Sequence, residues 1–149
     1  MKFFIAVFLI FSSLGFTQNT RELNSLWDEI RRNSNLEFDS TRSEIISAAD
    51  KYDGHQYLIN RLSKNGQRYL YYTVKEALKK GLPVELSLIP FVESQFDPYA
   101  QSSTGASGIW QFIPSTAREN GLKKNWWYDG RRDILASTEA AYTLSLIHI

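Results

Sequence analysis

One carboxylate inside an apolar run is the residue of this sequence best suited to acid–base chemistry. Glu93 lies in the stretch LIPFVES, and its close neighbours in the chain are Phe91, Val92 and Phe96. Burial disfavours the charged form of a carboxyl group, so apolar surroundings would raise its affinity for a proton. Cleavage of a glycosidic bond requires such an acid, because the leaving oxygen must be protonated. The alternative is a glutamate at a helix end, exposed to water.

A loop of small residues and a second apolar run follow Glu93. Ser102 and Gly108 bound the loop, where small side chains let a ligand approach the backbone and hydroxyl groups can bind sugar. The run GIWQF then places Gln111 between Trp110 and Phe112. An amide flanked by aromatic rings suits a carbohydrate cleft, since rings can cover sugar faces and the amide can bind a hydroxyl or acetamide group. The alternative for both rings is packing in the core.

Helices must position these groups. Apolar residues recur at helical spacing through most of the chain after residue 18, and no segment shows sustained period-two alternation, so the predicted class is all-α. Gly81 is a natural C-cap for the clearest helix, which lies in NGQRYLYYTVKEALKKGLP. Pro90 should kink or loosen the next helix. Asp97 and Pro98 should form a turn, and Asp133 should cap the last helix.

Composition narrows the function classes. The chain has 149 residues, a length that suits one domain, and a formal net charge of +1, which argues against nucleic acid as a partner. There are no cysteines, which excludes disulfides, zinc–thiolate sites and a thiol nucleophile. The two histidines, His55 and His148, are too few for a histidine-rich metal site.

The N-terminus has the pattern of a targeting segment. Lys2 precedes a short apolar run from Phe3 to Phe11, and small residues follow it. The run is shorter than the roughly 20 residues that a membrane-spanning helix needs, so residues 1–18 are predicted to be a secretory signal peptide. The alternative is an uncleaved N-terminal anchor, which would allow membrane association. In both cases the rest of the chain would work in the periplasm or cell envelope.

The stretch 82–117 resembles the catalytic core of the lytic transglycosylase family, lysozyme-like bacterial enzymes that cleave peptidoglycan. Five motifs of the family occur here in order: Glu93-Ser94, Asp97-Pro98, the Ser-x-x-Gly-Ala-x-Gly element Ser102–Gly108, the Gly-Ile-Trp-Gln element Gly108–Gln111, and the Pro-x-Thr-Ala element Pro114–Ala117. The resemblance covers roughly residues 57–141 and is greatest to the membrane-bound murein transglycosylase D type.

The resemblance implies roles for particular residues. Glu93 would be the single catalytic acid/base, and the sugar site would be lined by Ser94, Ser102, Gly108, Ile109, Trp110 and Gln111. Glu93 would protonate the oxygen of the β-1,4 bond between MurNAc and GlcNAc, and the MurNAc acetamido group would stabilise the oxocarbenium-like state. Glu93 would then activate the MurNAc 6-hydroxyl group and release a 1,6-anhydro product. No metal or organic cofactor is implied, and the expected partner is the peptidoglycan glycan strand.

The implied fold is an all-α, lysozyme-like domain of the goose type. It would occupy residues 57–149, after an N-terminal helical extension at residues 19–56. Family members continue into an Ala-Tyr-Asn-x-Gly motif that does not follow Ala141, so we expect the domain to be incomplete at its C-terminus. Two other functions stay open: a non-catalytic peptidoglycan-binding fragment, and a lysozyme-like muramidase in which water replaces the 6-hydroxyl group.

Overall fold

The computed structural model of the chain describes residues 20–34 and 66–148. The predicted signal segment, and most of the predicted extension at residues 19–56, lie outside these ranges. The elements in chain order are α1 (Thr20–Asn33), α2 (Gln67–Lys79), a 3₁₀ helix (Val84–Leu88), α3 (Ile89–Ser94), α4 (Pro114–Glu119) and α5 (Ile134–His148). The described ranges contain isolated β-bridges but no β-strand, which confirms the predicted all-α class.

The core forms where α2 packs against α1, the 3₁₀ helix and α5. Leu70, Val74 and Ala77 lie on one face of α2 and are buried, because residues three and four apart in a helix share a face. Ile30 of α1 is fully buried in the same cluster. An ion pair of 2.7 Å between Lys75 Nζ and Glu29 Oε1 also joins α1 to α2 at the surface.

Tyr142 joins α5 to α2 in the centre of this core. Its side chain is fully buried, and its hydroxyl group donates a hydrogen bond of 2.7 Å to the backbone carbonyl of Thr73. Burial raises the pKa of Tyr142 far above the ordinary value of a tyrosine. The hydroxyl group therefore stays neutral and satisfies a backbone acceptor that would otherwise be buried without a partner.

The helix end predicted at Gly81 and the interruption predicted at Pro90 both occur in the structure. Gly81 adopts a left-handed conformation with φ of 65°, and Leu82 N donates back to Ala77 O at 2.9 Å, which closes the C-terminus of α2. The next segment was expected as one helix loosened at Pro90, and it divides there. A 3₁₀ turn ends at Leu88, and Pro90 lies in the first turn of α3, where a missing N–H costs no hydrogen bond.

Asp133 caps α5, as the sequence predicted. Its Oδ1 accepts hydrogen bonds from the backbone N–H groups of Leu135 at 2.9 Å and Ala136 at 3.0 Å. Tyr128 donates its hydroxyl proton to the other carboxylate oxygen at 2.9 Å. The backbone bond from Ala136, followed by the bond from Tyr128, holds the pKa of Asp133 below its ordinary value.

We expect Asp133→Ala to lower the free energy of unfolding by about 1 kcal/mol, because two N-terminal N–H groups of α5 lose their acceptor. Asp133→Asn should lose much less, since asparagine caps equally well. Urea denaturation of the three proteins measures this difference. The depressed pKa also means that the stabilisation by Asp133 is complete above the ordinary carboxyl pKa and is lost as the pH falls through the lowered value. Equal losses for alanine and asparagine would contradict the capping role.

Within residues 20–34 and 66–148, no helix combines the length and the apolar character needed to cross a bilayer.

Candidate active site

Glu93 lies in the last turn of α3, and its side chain is exposed. The apolar enclosure expected from the sequence is therefore not formed around it by the described residues. Phe91 and Val92 are half-buried, and Phe96 is 1% exposed, so these neighbours turn toward the protein interior. The reason is helical geometry, because adjacent residues in a helix point in different directions. Glu93 is instead open to a ligand that approaches from solvent.

An abrupt helix end holds Glu93 in place. Gln95 and Phe96 both adopt left-handed backbone conformations, with φ of 54° and 55°. This conformation costs a residue other than glycine about 1–2 kcal/mol. The burial of Phe96, together with a hydrogen bond of 3.1 Å from Phe96 N to Pro90 O, offsets the cost. Backbone strain of this kind is concentrated at functional sites, where the surrounding structure maintains it.

Ser94 fastens this helix end to the Gly-Ile-Trp-Gln element. Its hydroxyl group lies 2.9 Å from the backbone carbonyl of Ile109 and 3.1 Å from that of Pro90, with the serine as donor. The first bond joins residues that are 15 positions apart. The structure therefore brings the Glu93-Ser94 pair against the second motif that the sequence singled out, as one site would require.

The small-residue loop is organised by Ser102. The Oγ of Ser102 accepts a hydrogen bond of 3.0 Å from Ala106 N and lies 2.9 Å from the hydroxyl group of Thr104. The backbone N–H of Ser102 also donates to Ala106 O at 3.0 Å. These contacts shape the loop from within, and the half-buried Ser102 remains near its surface.

Gln111 closes the same loop. Its backbone has φ of 50°, and its side-chain Nε2 donates to the carbonyls of Gly108 at 2.7 Å and Ala100 at 3.3 Å. The donor groups of this amide are thus committed to the backbone, and its Oε1 is left as the group that can accept from a sugar hydroxyl or acetamide N–H.

Ile109 and Trp110, which the resemblance placed in the sugar site, have buried side chains. Ile109 is fully buried and Trp110 is 9% exposed. The indole N–H of Trp110 donates to Thr138 Oγ1 at 2.9 Å, and its ring lies edge-on to Tyr142 at 5.3 Å. Phe112 is buried as well. The structure therefore favours the core-packing alternative for both aromatic rings. The Trp110 ring packs against α5, and the placement of Ile109 and Trp110 in the sugar site stays a prediction.

Arg131 is a residue of the site that the sequence reasoning missed. It is 4% exposed, and its guanidinium group donates to Gly105 O at 2.7 Å and Phe112 O at 3.3 Å. Asp129 balances the buried charge through an ion pair of 2.6 Å, and this pair holds the pKa of Asp129 below its ordinary value. Asp129 thus has a structural role in this segment. Arg131 ties the small-residue loop to Phe112, the residue that follows the Gly-Ile-Trp-Gln element.

The second carboxylate near Glu93 in sequence has a structural role. Asp97 Oδ1 accepts a hydrogen bond of 2.9 Å from Tyr99 N, which forms the turn predicted at Asp97-Pro98. Glu93 is thus the carboxylate of this segment that is open for chemistry. Within the described ranges, no group of three or more histidine, aspartate or glutamate side chains is arranged to hold a metal ion.

Residues 71–145, about half of the chain, match the family described as the transglycosylase SLT domain. The chain belongs to this family, and its all-α fold is of the lysozyme-like class. It is 44% identical over 100 residues to membrane-bound lytic murein transglycosylase D of Escherichia coli (strain K12), which covers 67% of this chain and 22% of that protein. It is 31% identical over 134 residues to membrane-bound lytic murein transglycosylase F of Desulfosudis oleivorans, covering 85% of this chain and 27% of that protein. The chain thus spans about a quarter of the length of these relatives.

Proposed function

We propose that this chain carries the acid/base part of a peptidoglycan lytic transglycosylase. The substrate would be the β-1,4 bond between MurNAc and GlcNAc, and the product would end in 1,6-anhydroMurNAc. The observation that carries the proposal is the hydrogen bond from Ser94 Oγ to Ile109 O, which holds the exposed Glu93 beside the Gly-Ile-Trp-Gln element. Relatives named as lytic murein transglycosylases share this part of the chain.

The reaction would need one carboxylic acid. Protonated Glu93 would give its proton to the glycosidic oxygen as the bond from that oxygen to MurNAc C1 breaks. The MurNAc acetamido group would stabilise the positive charge at C1. Glu93, now a carboxylate, would take the proton of the 6-hydroxyl group while O6 bonds to C1, and so return to its starting state without consuming water. Two carboxylates are usual for glycosidases, so a nucleophile supplied by the substrate explains why Glu93 could act alone.

The exposed position of Glu93 fits such a substrate. A glycan strand lying over α3 would exclude water from the carboxyl group and strengthen its interactions with the reacting atoms. Ser94 is the residue that holds the helix end. Ser102, the backbone of Gly108 and the Oε1 of Gln111 would contact the sugar, while the buried side chains of Ile109 and Trp110 would hold that backbone in place. A role in cell-wall remodelling in the bacterial envelope follows from this substrate.

Mass spectrometry of the products tests this proposal. We expect the chain to release fragments from purified sacculi whose MurNAc ends are about 18 Da, or one water, lighter than hydrolytic ends, because O6 rather than water attacks C1. Ends of full hydrolytic mass would point to a lysozyme-like muramidase instead. Binding to sacculi without any released fragment would point to a non-catalytic wall-binding fragment.

A further inference from the structure

A concave surface is formed by the segment between α4 and α5 together with the turn after α3. This cavity, here called the aromatic cleft, has a volume of about 620 Å³, within the range of small-molecule sites. The residues that give it its chemistry are Tyr99, Lys124, Trp126, Trp127, Tyr128 and Arg132. Glu93, Ser102 and Gln111 do not line it. Arg131 does, so the cleft adjoins the candidate active site but does not contain the proposed acid.

The aromatic cleft presents its rings to solvent. Trp126 is 88% exposed, Trp127 is 90% exposed and Tyr99 is 76% exposed. The two indole rings meet nearly at a right angle, with an interplanar angle of 83° and centroids 6.3 Å apart. Exposed clusters of large apolar side chains mark binding surfaces, because leaving them in water is unfavourable. Flat faces set at an angle suit a chain of rings such as a saccharide.

The backbone beneath the two tryptophans is held in a defined turn. Asn125 Oδ1 accepts hydrogen bonds from Trp127 N at 2.9 Å and Tyr128 N at 2.8 Å, and Asn125 N donates to Tyr128 O at 2.8 Å. Gly130 N also donates to Lys123 O at 2.8 Å. The backbone that carries the two rings is therefore fixed by the fold itself. Such preorganisation lowers the entropy lost when a ligand binds.

The charges around the aromatic cleft favour an anionic ligand. Both carboxylates in its wall are engaged inside the protein: Asp129 pairs with the buried Arg131, and Asp133 caps α5 and accepts from Tyr128. Two cations remain at the surface. The side chain of Lys124 is 65% exposed and forms an ion pair of 3.8 Å with Asp129. The exposed Arg132 donates through Nε to Ser107 at 3.0 Å and through one terminal nitrogen to Gln101 at 3.4 Å, which leaves other N–H groups available.

We propose that the aromatic cleft is a second binding site for an acidic glycan, separate from the site of bond cleavage. Trp126 and Trp127 would stack on pyranose faces, while Arg132 and Lys124 would bind a carboxylate carried by the sugar. This inference rests on the proposed function, since the lactyl and peptide carboxylates of MurNAc make peptidoglycan a glycan of this chemistry. The cleft would keep the enzyme on the strand between cleavage events.

An anionic membrane surface could also attract tryptophans next to lysines. A membrane-binding element usually presents a protruding apolar face that enters the lipid boundary. The aromatic cleft is instead concave and combines its rings with hydrogen-bonding side chains of the protein wall. The shape therefore favours the glycan, and the membrane is an outcome that the experiment must separate.

Binding should be measured with the full chain carrying Glu93→Gln, so that the glycan is not degraded. We expect the added double substitution Trp126→Ala/Trp127→Ala to weaken binding to soluble GlcNAc–MurNAc oligosaccharides by about tenfold or more, as loss of aromatic anchors does at binding sites. Tyr71→Ala is the matched control, because Tyr71 is an exposed aromatic residue outside the cleft, and it should leave the Kd unchanged.

A charge test sharpens the assignment. Arg132→Gln should weaken binding to MurNAc-containing oligosaccharides several-fold and leave binding to uncharged GlcNAc oligosaccharides unaltered. An unchanged Kd after removal of both tryptophans, or no binding by the parent protein, would overturn the proposal. The proposal would also be overturned if removal of both tryptophans abolished binding to vesicles containing phosphatidylglycerol and left glycan binding unaltered.

The cleft and the catalytic proposal fail in different ways. In the chain with Glu93 intact, the double tryptophan variant should still form anhydro ends on short soluble oligosaccharides, with reduced release from sacculi. If the parent binds glycan through the cleft and forms no anhydro ends, the catalytic proposal fails and the cleft stands. If anhydro ends form at the parental rate on both substrates and the Kd is unaltered, the cleft proposal fails alone.

Discussion

Replacing Glu93 with glutamine should lower the rate of anhydro-muropeptide release by about 10²- to 10⁴-fold, the range that a positioned general acid or base contributes. The amide has nearly the shape of the carboxyl group, but it can neither protonate the glycosidic oxygen nor accept the proton of the 6-hydroxyl group. Both halves of the proposed reaction are therefore lost at one position. The rate is measured by chromatography of fragments released from sacculi.

The fold should be unaffected by this change, because Glu93 is exposed and surface substitutions usually alter stability by less than about 0.5 kcal/mol. Glu119→Gln is the matched control, since Glu119 is an exposed glutamate at the end of another short helix, α4. It should retain the parental rate. Parental turnover by Glu93→Gln, in a protein with an unaltered unfolding curve, would remove Glu93 from the mechanism.

Gly108→Ala should have the largest effect on stability, lowering the free energy of unfolding by about 2–5 kcal/mol. Gly108 has φ of 82°, a conformation that side chains other than hydrogen rarely adopt. A Cβ atom there would lie only 1.8 Å from the backbone carbonyl oxygen of Arg131. The backbone of one of the two segments must move, and both segments belong to the wall of the candidate active site. Denaturant unfolding measures the loss.

Gly105→Ala separates the two causes of this loss. Gly105 also has φ of 82°, but a Cβ atom on it would meet nothing within 4 Å. This variant should therefore show only the conformational cost, about 1–2 kcal/mol. Equal destabilisation at the two glycines would mean that the close approach of residue 108 to Arg131 has no energetic weight. Gly108→Ala should also reduce turnover. Gly108 begins the Gly-Ile-Trp-Gln element, and Ser94, the residue after Glu93, is hydrogen-bonded to that element.

The close packing at Gly108 shows how a small domain keeps a loop-built site in place. Arg131 reaches the carbonyls of Gly105 and Phe112, while its own backbone touches Gly108. A buried guanidinium group with a paired carboxylate can satisfy several backbone acceptors at once. The small-residue loop therefore has few ways to move, although it contains little regular secondary structure. Preorganised polar groups of this kind are what catalysis of bond cleavage requires.

Local features of the fold were predictable because each depends on residues close together in the chain. The cap at Asp133 joins it to residues two and three positions later, and the turn at Asp97 joins it to Tyr99. The end of α2 at Gly81 is formed by hydrogen bonds between near neighbours, from Gly81 N to Leu78 O and from Leu82 N to Ala77 O. Helical spacing of apolar residues likewise predicted the all-α class, since periodicity reports which face of a helix is buried.

The candidate site was only partly predictable. The order of motifs singled out Glu93, and the structure placed the Glu93-Ser94 pair against the Gly-Ile-Trp-Gln element. The apolar neighbours of Glu93 in the sequence predicted that its side chain would be buried. The direction in which this side chain points from the helix axis instead leaves it exposed. The flanking aromatics suggested a sugar platform at Trp110, yet contacts with Thr138 and Tyr142 placed that ring in the core.

The sequence by itself thus determined the helices, their ends and the turn after α3, and it singled out Glu93 as the candidate acid. The tertiary structure alone decided which side chains face solvent, that Arg131 braces the loop across 26 positions, and that Trp126 and Trp127 share one cleft with Lys124 and Arg132. The physical reason is the distance along the chain between the residues that interact. Caps and turns are formed by hydrogen bonds between near neighbours, whereas burial and clefts arise where distant segments meet, and no local pattern records that meeting.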